Sequence, residues 1–211
     1  MKTFLVIGNA CGGTSITAGM LDCLGVKIAH SGIQNEQNPK GSFELEEFNK
    51  ITTKVYQDFI NGKNEQRLFS KYQNEIIKII ENHQSENWGL KGNLCHVNLS
   101  FWEKHFNNLH IVVVLRNAFE NAVSWQNHLQ KYYNKKVTLE YAIRNLNSQT
   151  NTLINNVLKS KKPIFWTSYE KIKFRPLEDA KRMSKFSGIE LNEEKIKKIL
   201  DLIDPNQSTI Y

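Results

Sequence analysis

Residues 2–15 read Lys2-Thr3-Phe4-Leu5-Val6-Ile7-Gly8-Asn9-Ala10-Cys11-Gly12-Gly13-Thr14-Ser15, and the chain changes character twice within them. Lys2 to Ile7 is a short apolar run rich in residues that favour extended backbone, and Gly8 ends it. Small residues then make a turn, after which Ile16, Met20, Leu21 and Leu24 recur at helical spacing. The reading is strand, glycine-rich loop, helix. In such a turn successive backbone N–H groups and the opening of the helix form a positive concavity, and glycines let an anion approach the backbone closely. The loop of nucleoside triphosphatases has the form G-x-x-x-x-G-K-[ST]; here Thr14 stands in the lysine's place, which speaks against a γ-phosphate.

Outward from this loop, residues 25–42 carry Gly32, Asn35, Asn38, Pro39 and Gly41 with little periodicity, so a long loop is expected. Apolar spacing predicts helices over 43–60 and 68–80, a brief strand over 87–91 and a short helix over 101–106. His110 to Leu115 is too apolar to be half-exposed and reads as a central buried strand. Helices follow over 118–132 and 138–158, the second capped by Thr138. A strand is expected over 163–167, then helices over 176–186 and 193–203, with Gly188 ending the first and Pro205 following the second. Alternating strands and helices imply an α/β fold of three layers, α/β/α, around a mostly parallel central sheet. Ligands bind beyond the carboxyl ends of such strands, so the loops after Ile7, Leu115 and Thr167 are the places to look.

With 211 residues, 40% of them hydrophobic and 23% charged, the chain can bury one core, and a single domain over 1–211 is expected. The net charge of +7 favours anionic partners, yet the lysines of residues 159–198 are interleaved with acids and read as solvated faces. Charge therefore selects no function, and no nucleic-acid partner is assigned. Cys11, Cys23 and Cys95 have neither zinc-site spacing nor the even count of a disulfide framework, which fits a reducing compartment. The N-terminal apolar run is only strand-length, so no membrane span is expected and the reading is a soluble, cytoplasmic protein.

Five segments, in order, resemble the sulfotransferase family that uses 3′-phosphoadenosine 5′-phosphosulfate, whose loop reads close to G-x-[PA]-[RK]-S-G-T-[ST]. Gly8, Gly13, Thr14 and Ser15 match; Cys11 stands where the family places a basic residue, and Gly12 replaces a serine. Asn38-Pro39-Lys40-Gly41-Ser42-Phe43-Glu44 is similar to an N-P-x-G-[YF]-[FE] loop of bacterial members. Trp88-Gly89-Leu90-Lys91 looks like their W-x-x-K element, with Gly92 and Asn93 departing from the usual D-P-R continuation. Leu115-Arg116-Asn117 with Ala122-Val123-Ser124-Trp125 resembles the 3′-phosphate motif. Tyr169-Glu170-Lys171-Ile172, followed by Phe186-Ser187-Gly188-Ile189, resembles the family's late elements.

The resemblance implies a P-loop-type fold and transfer of a sulfuryl group to a hydroxyl or amine of a small-molecule or glycan acceptor, leaving adenosine 3′,5′-bisphosphate. No metal is expected. Gly8, Cys11, Gly12, Gly13, Thr14 and Ser15 would hold the 5′ end, Arg116 and Ser124 the 3′-phosphate, and Tyr169 would lie near the adenine. Arg116 and Ser124 are eight positions apart, so a strand-end guanidinium and a helix hydroxyl can converge on one anion. Lys91 is either a solvated lysine or a group that stabilises the transferring sulfuryl. Glu44 is either a helix-start acid or a base, and His30, His96 and His128 are further candidate bases. Two other functions stay open: a degenerate nucleotide-binding or accessory protein, which the departures at Cys11, Gly12, Gly92 and Asn93 favour, and a small-molecule kinase.

Overall fold

The structure, a computed structural model, describes residues 1–31 and 41–203. Asn38, Pro39 and Lys40 of the N-P-x-G stretch lie outside the described residues, as do Gly32, Asn35 and Pro205. The elements in chain order are β1 (Lys2–Gly8), α1 (Thr14–Leu24), β2 (Lys27–Ile28), α2 (Glu46–Ile60), α3 (Glu65–His83), β3 (Asn87–Lys91), a 3₁₀ turn (Cys95–Asn98) and α4 (Leu99–Glu103). They continue with β4 (Leu109–Leu115), α5 (Ala118–Tyr133), α6 (Leu139–Lys159), β5 (Ile164–Ser168), α7 (Tyr169–Phe174), α8 (Pro176–Ser187) and α9 (Glu193–Leu202). The strands form one sheet in the order β2-β3-β1-β4-β5, and every pairing is parallel.

Parallel strands joined through helices are covered on both faces, and the side chains of β1 divide accordingly. Leu5 and Ile7 join Trp88, Ile111 and Val113 under α2, α3 and α6. Phe4 and Val6 join Val112 and Phe165 under α1, α8 and α9. Trp88, Trp102, Phe48 and Phe101 are among the largest fully buried side chains, each contributing about 1.5–3 kcal/mol by burial. A smaller cluster of Ala122, Ala142 and Leu146 joins α5 to α6.

Three local expectations are corrected. The loop expected over 25–42 contains the two-residue strand β2, which pairs with Trp88 and Gly89 of β3. The helix expected from Phe43 starts at Glu46, because Phe43 has φ +52 and Ser31 Oγ accepts a hydrogen bond from Glu46 N at 2.9 Å. After β5 comes the six-residue α7, opened by Ser168, whose side chain accepts from Lys171 N.

The strand order decides where a site can form. β1 is central, with β3 on one side and β4 on the other, so the crossover from β1 to β2 runs to one side of it and the crossover from β4 to β5 to the other. Open parallel sheets bind ligands where such crossovers part, and the loop of residues 9–13 lies there, beyond the end of β1 and between the strands that end at Lys91 (β3) and Leu115 (β4).

Candidate functional site

The loop between β1 and α1 is held from three sides. Gly12 donates its N–H to Asn9 O at 3.0 Å, closing a tight turn. A Cβ on Gly12 would stand 2.8 Å from that carbonyl, so the serine usual in the resembled family does not fit this turn as it stands. Gly13 has φ +96, a conformation side chains disfavour, and a Cβ there would meet Tyr169 Cδ2 at 2.9 Å. Asn9 Nδ2 donates to Thr150 Oγ1 at 2.6 Å and to Leu146 O at 3.2 Å, fastening the loop to α6.

Cys11 is the hinge of this arrangement. At φ +57 it turns its carbonyl towards β4 and α5, where Arg116 Nη1 donates to it at 2.9 Å. With its NH₂ facing the loop, Asn121 donates to Ala10 O at 2.9 Å and to Cys11 O at 3.2 Å. The thiol is hydrogen-bonded to Ser124, and burial pushes it above the ordinary thiol range although Ser124, Arg116 and Lys91 all pull the other way. It is therefore a neutral group at physiological pH.

Helix α1 begins at Thr14 with no side-chain cap and no acidic residue in its first turn. The N–H groups of a first helical turn have no intrahelical acceptor, so those of Thr14, Ser15 and Ile16 are directed out of the helix start.

Beside the loop stands Lys91, whose side chain is only 2% exposed. Its Nζ donates to Ser15 Oγ at 2.9 Å and pairs with Glu44 Oε1 at 2.6 Å. Burial holds the ammonium below the usual lysine range, with the charge of Glu44 opposing the shift. The solvated reading of Lys91 is thereby corrected. Glu44 precedes α2 and is not part of its first turn; its other oxygen accepts from Asn49 Nδ2 at 3.0 Å.

On the opposite flank Arg116 lies directly after β4, its side chain 9% exposed. Tyr169 lies under its guanidinium, with the carbon centre 4.5 Å from the ring centroid. Its Nη2 is 3.8 Å from Glu120, and its buried Nε has no partner among the described residues. The sequence-derived residues Gly8, Cys11, Gly12, Gly13, Thr14, Ser15, Lys91, Glu44, Arg116, Ser124 and Tyr169 thus fall in one continuous cluster around the loop. Sequence reasoning missed Asn9 and Asn121, which fix the loop backbone; an asparagine one residue past a strand carries no signal until its partner is known.

The candidate bases separate. His96 is 2% exposed, its Nδ1 lies 2.6 Å from Asn93 O, and burial lowers its readiness to take a proton. His30 packs edge-on against Phe43 at 5.7 Å. His128 lies on α5, one helical turn beyond Ser124. Among the described residues no group of three His, Cys, Asp or Glu side chains is placed to hold a metal, and no helix is long and apolar enough to cross a membrane.

With this geometry in place, comparison decides the family. The sequence matches the sulfotransferase domain over residues 2–207. The chain belongs to the sulfotransferase domain family. No protein of curated function matches it by sequence. The fold is similar to mouse sulfotransferase SULT7A1 complexed with PAP, at 15% identity and TM-score 0.58, covering 96% of this chain and 65% of that one. This sulfotransferase-family chain thus spans about two thirds of the mouse protein's length. Sulfotransferase STF1 from Mycobacterium tuberculosis H37Rv is similar at 12% identity and TM-score 0.63, covering 94% of this chain and 70% of that one. A sulfotransferase from Alicyclobacillus acidocaldarius covers 96% of both chains at 12% identity and TM-score 0.52.

Proposed function

We propose that the chain, acting as one domain, transfers a sulfuryl group from 3′-phosphoadenosine 5′-phosphosulfate to a hydroxyl or amine of a small-molecule or glycan acceptor. The observation that carries this reading is the convergence on Cys11 and Ser15. Arg116 and Ser124 bond to Cys11 from one side, and Lys91 bonds to Ser15 from the other. One doubly anionic ligand can therefore meet the helix start, a lysine and a guanidinium together. Arg116 Nε, which has no partner among the described residues, supplies a buried donor that an anion would satisfy. The mouse relative's association with PAP fits the same ligand class.

Sulfuryl transfer asks for position and charge rather than covalent help. The open N–H groups of Thr14 and Ser15 and the Lys91 ammonium would take up charge developing on the bridging oxygen, and the stiff turn at Gly12 fixes their aim. Arg116, stacked on Tyr169, would hold the opposite end and set the in-line geometry. No metal is part of this reading.

Isothermal titration with adenosine 3′,5′-bisphosphate is expected to show sub-millimolar binding, weakened about 10–100-fold by Arg116→Ala, the size of one charge-assisted hydrogen bond. Absence of binding by the unaltered chain overturns the proposal. The neutral Cys11 thiol, where the family places a cation, favours a second reading in which the nucleotide is held without transfer. Binding of the bisphosphate with no labelled sulfate passed to any acceptor, and tighter binding by Cys11→Arg, would establish that alternative.

A further inference from the structure

Residues 9–15, from Asn9 to Ser15, carry no charged side chain, so their attraction for an anion must come from the aim of backbone N–H groups. A trans peptide is a rigid unit whose C=O and N–H point in opposite directions, so whatever holds a carbonyl also aims the next amide. Two carbonyls of the loop are held from α5. Ala10 O accepts from Asn121 Nδ2 at 2.9 Å, which turns the Cys11 N–H away from that helix. Cys11 O accepts from the same nitrogen at 3.2 Å and from Arg116 Nη1 at 2.9 Å, and the Gly12 N–H on the far side of that peptide closes its turn on Asn9 O. Cys11, at φ +57, holds a conformation that side chains disfavour, so these bonds are what keep the turn in shape.

Asn121 is 3% exposed and stands on α5 next to Ala122, which packs with Ala142 and Leu146 of α6. A buried amide costs more than an apolar side chain unless its groups are bonded, and the NH₂ of Asn121 is engaged with the loop. Turned the other way, its oxygen would face two carbonyl oxygens. Arg116, the second donor to Cys11 O, is assigned a further duty at the 3′-phosphate and already lies against the Tyr169 ring. An anion that draws Arg116 towards itself leaves Cys11 O to Asn121. The amide is thus placed to keep the loop shaped while the guanidinium is shared between carbonyl and ligand.

We propose that Asn121 is the positioning residue of the 5′-phosphate seat: by anchoring the carbonyls of Ala10 and Cys11 to α5, it keeps both oxygens turned out of the anion's way. Backbone aim thereby stands in for the side-chain charge that Cys11 does not supply. The inference rests on the nucleotide-holding half of the sulfuryl-transfer reading and concerns no bond that forms or breaks. It makes the two ends of the ligand separable, because Asn121 acts on the 5′ seat whereas Arg116 and Ser124 are assigned to the 3′ end. Without the amide the Ala10–Cys11 peptide is free to turn over and present an oxygen in place of its N–H. A loop correctly held for about a tenth of the time binds about tenfold more weakly.

The test measures, by isothermal titration, the affinities of adenosine 5′-monophosphate, adenosine 3′-monophosphate and the 3′,5′-bisphosphate for the unaltered chain, Asn121→Ala and Asn121→Leu. Both variants remove the donor, the first leaving its space open and the second filling it. Each is expected to weaken the 5′-monophosphate and the bisphosphate about tenfold, while the 3′-monophosphate stays within about threefold. A general loosening of the fold would move the two monophosphates alike, so an equal loss for both, or no loss for either, overturns the inference. Should the unaltered chain bind no bisphosphate, the proposed function fails and takes this inference with it. Should the expected pattern appear with no sulfate transferred, the inference stands and only the transfer step fails. A second measurement leaves Asn121 in place. By NMR its side-chain NH₂ protons are expected to exchange with solvent at least about 100-fold more slowly than those of the exposed Asn134, as a buried, bonded amide requires; exchange at the Asn134 rate also overturns the inference.

Discussion

Cys11 shows how much one backbone angle decides. Its positive φ aims the carbonyl at Arg116 and the thiol at Ser124, so the residue that replaces a familial cation becomes a bracket for the two groups assigned to the far phosphate. Gly13 is subject to the opposite constraint, a left-handed conformation with the Tyr169 ring pressed against its Cα. Gly13→Ala is expected to lower stability by about 1–2 kcal/mol from backbone strain alone, read as a fall in thermal midpoint, with a larger loss of bisphosphate affinity as Tyr169 is displaced. Lys91 was ambiguous in the sequence for a plain reason: its carboxylate partner is 47 positions earlier, beyond any local pattern. Arg116 and Ser124 were legible because one strand end and one helix turn fix their separation.

Near the turn between α2 and α3, one carboxylate gathers three donors. Asp58 accepts from Lys71 Nζ at 2.8 Å and Tyr72 Oη at 2.7 Å and pairs with Lys63 at 2.7 Å. The Lys63, Lys71 and Tyr72 donors hold its carboxyl far below the usual range. A depressed carboxylate stabilises above its unfolded value near 4 and loses that contribution as pH falls towards its folded one. Urea unfolding of Asp58→Asn should therefore show a deficit at pH 6 that shrinks steadily below pH about 4; a deficit independent of pH refutes the assignment. Long periodic helices such as α3, α5 and α6 and the apolar β4 were legible from spacing. β2 and α7 were not, because two and six residues are too few to show a period. The late start of α2 escaped for another reason, since Phe43 fits the apolar stripe and only its left-handed backbone and the Ser31 contact keep it out of the helix.

Across the molecule, the all-parallel sheet places β1 between β3 and β4, so the residues proposed to grip the donor come from three crossover units that meet only when the sheet is complete. Bisphosphate at 100 times its dissociation constant should add about 2.7 kcal/mol to stability, raising the thermal midpoint of a chain this size by about 5–10 °C. A midpoint unmoved at saturating ligand contradicts the proposed site. The tether from Asn9 to Thr150 and Leu146 extends this coupling outward. Because that amide bolts the β1–α1 loop to the middle of the 21-residue helix α6, a force applied to α6 on its solvent side is felt at the loop, and the two must shift as one body.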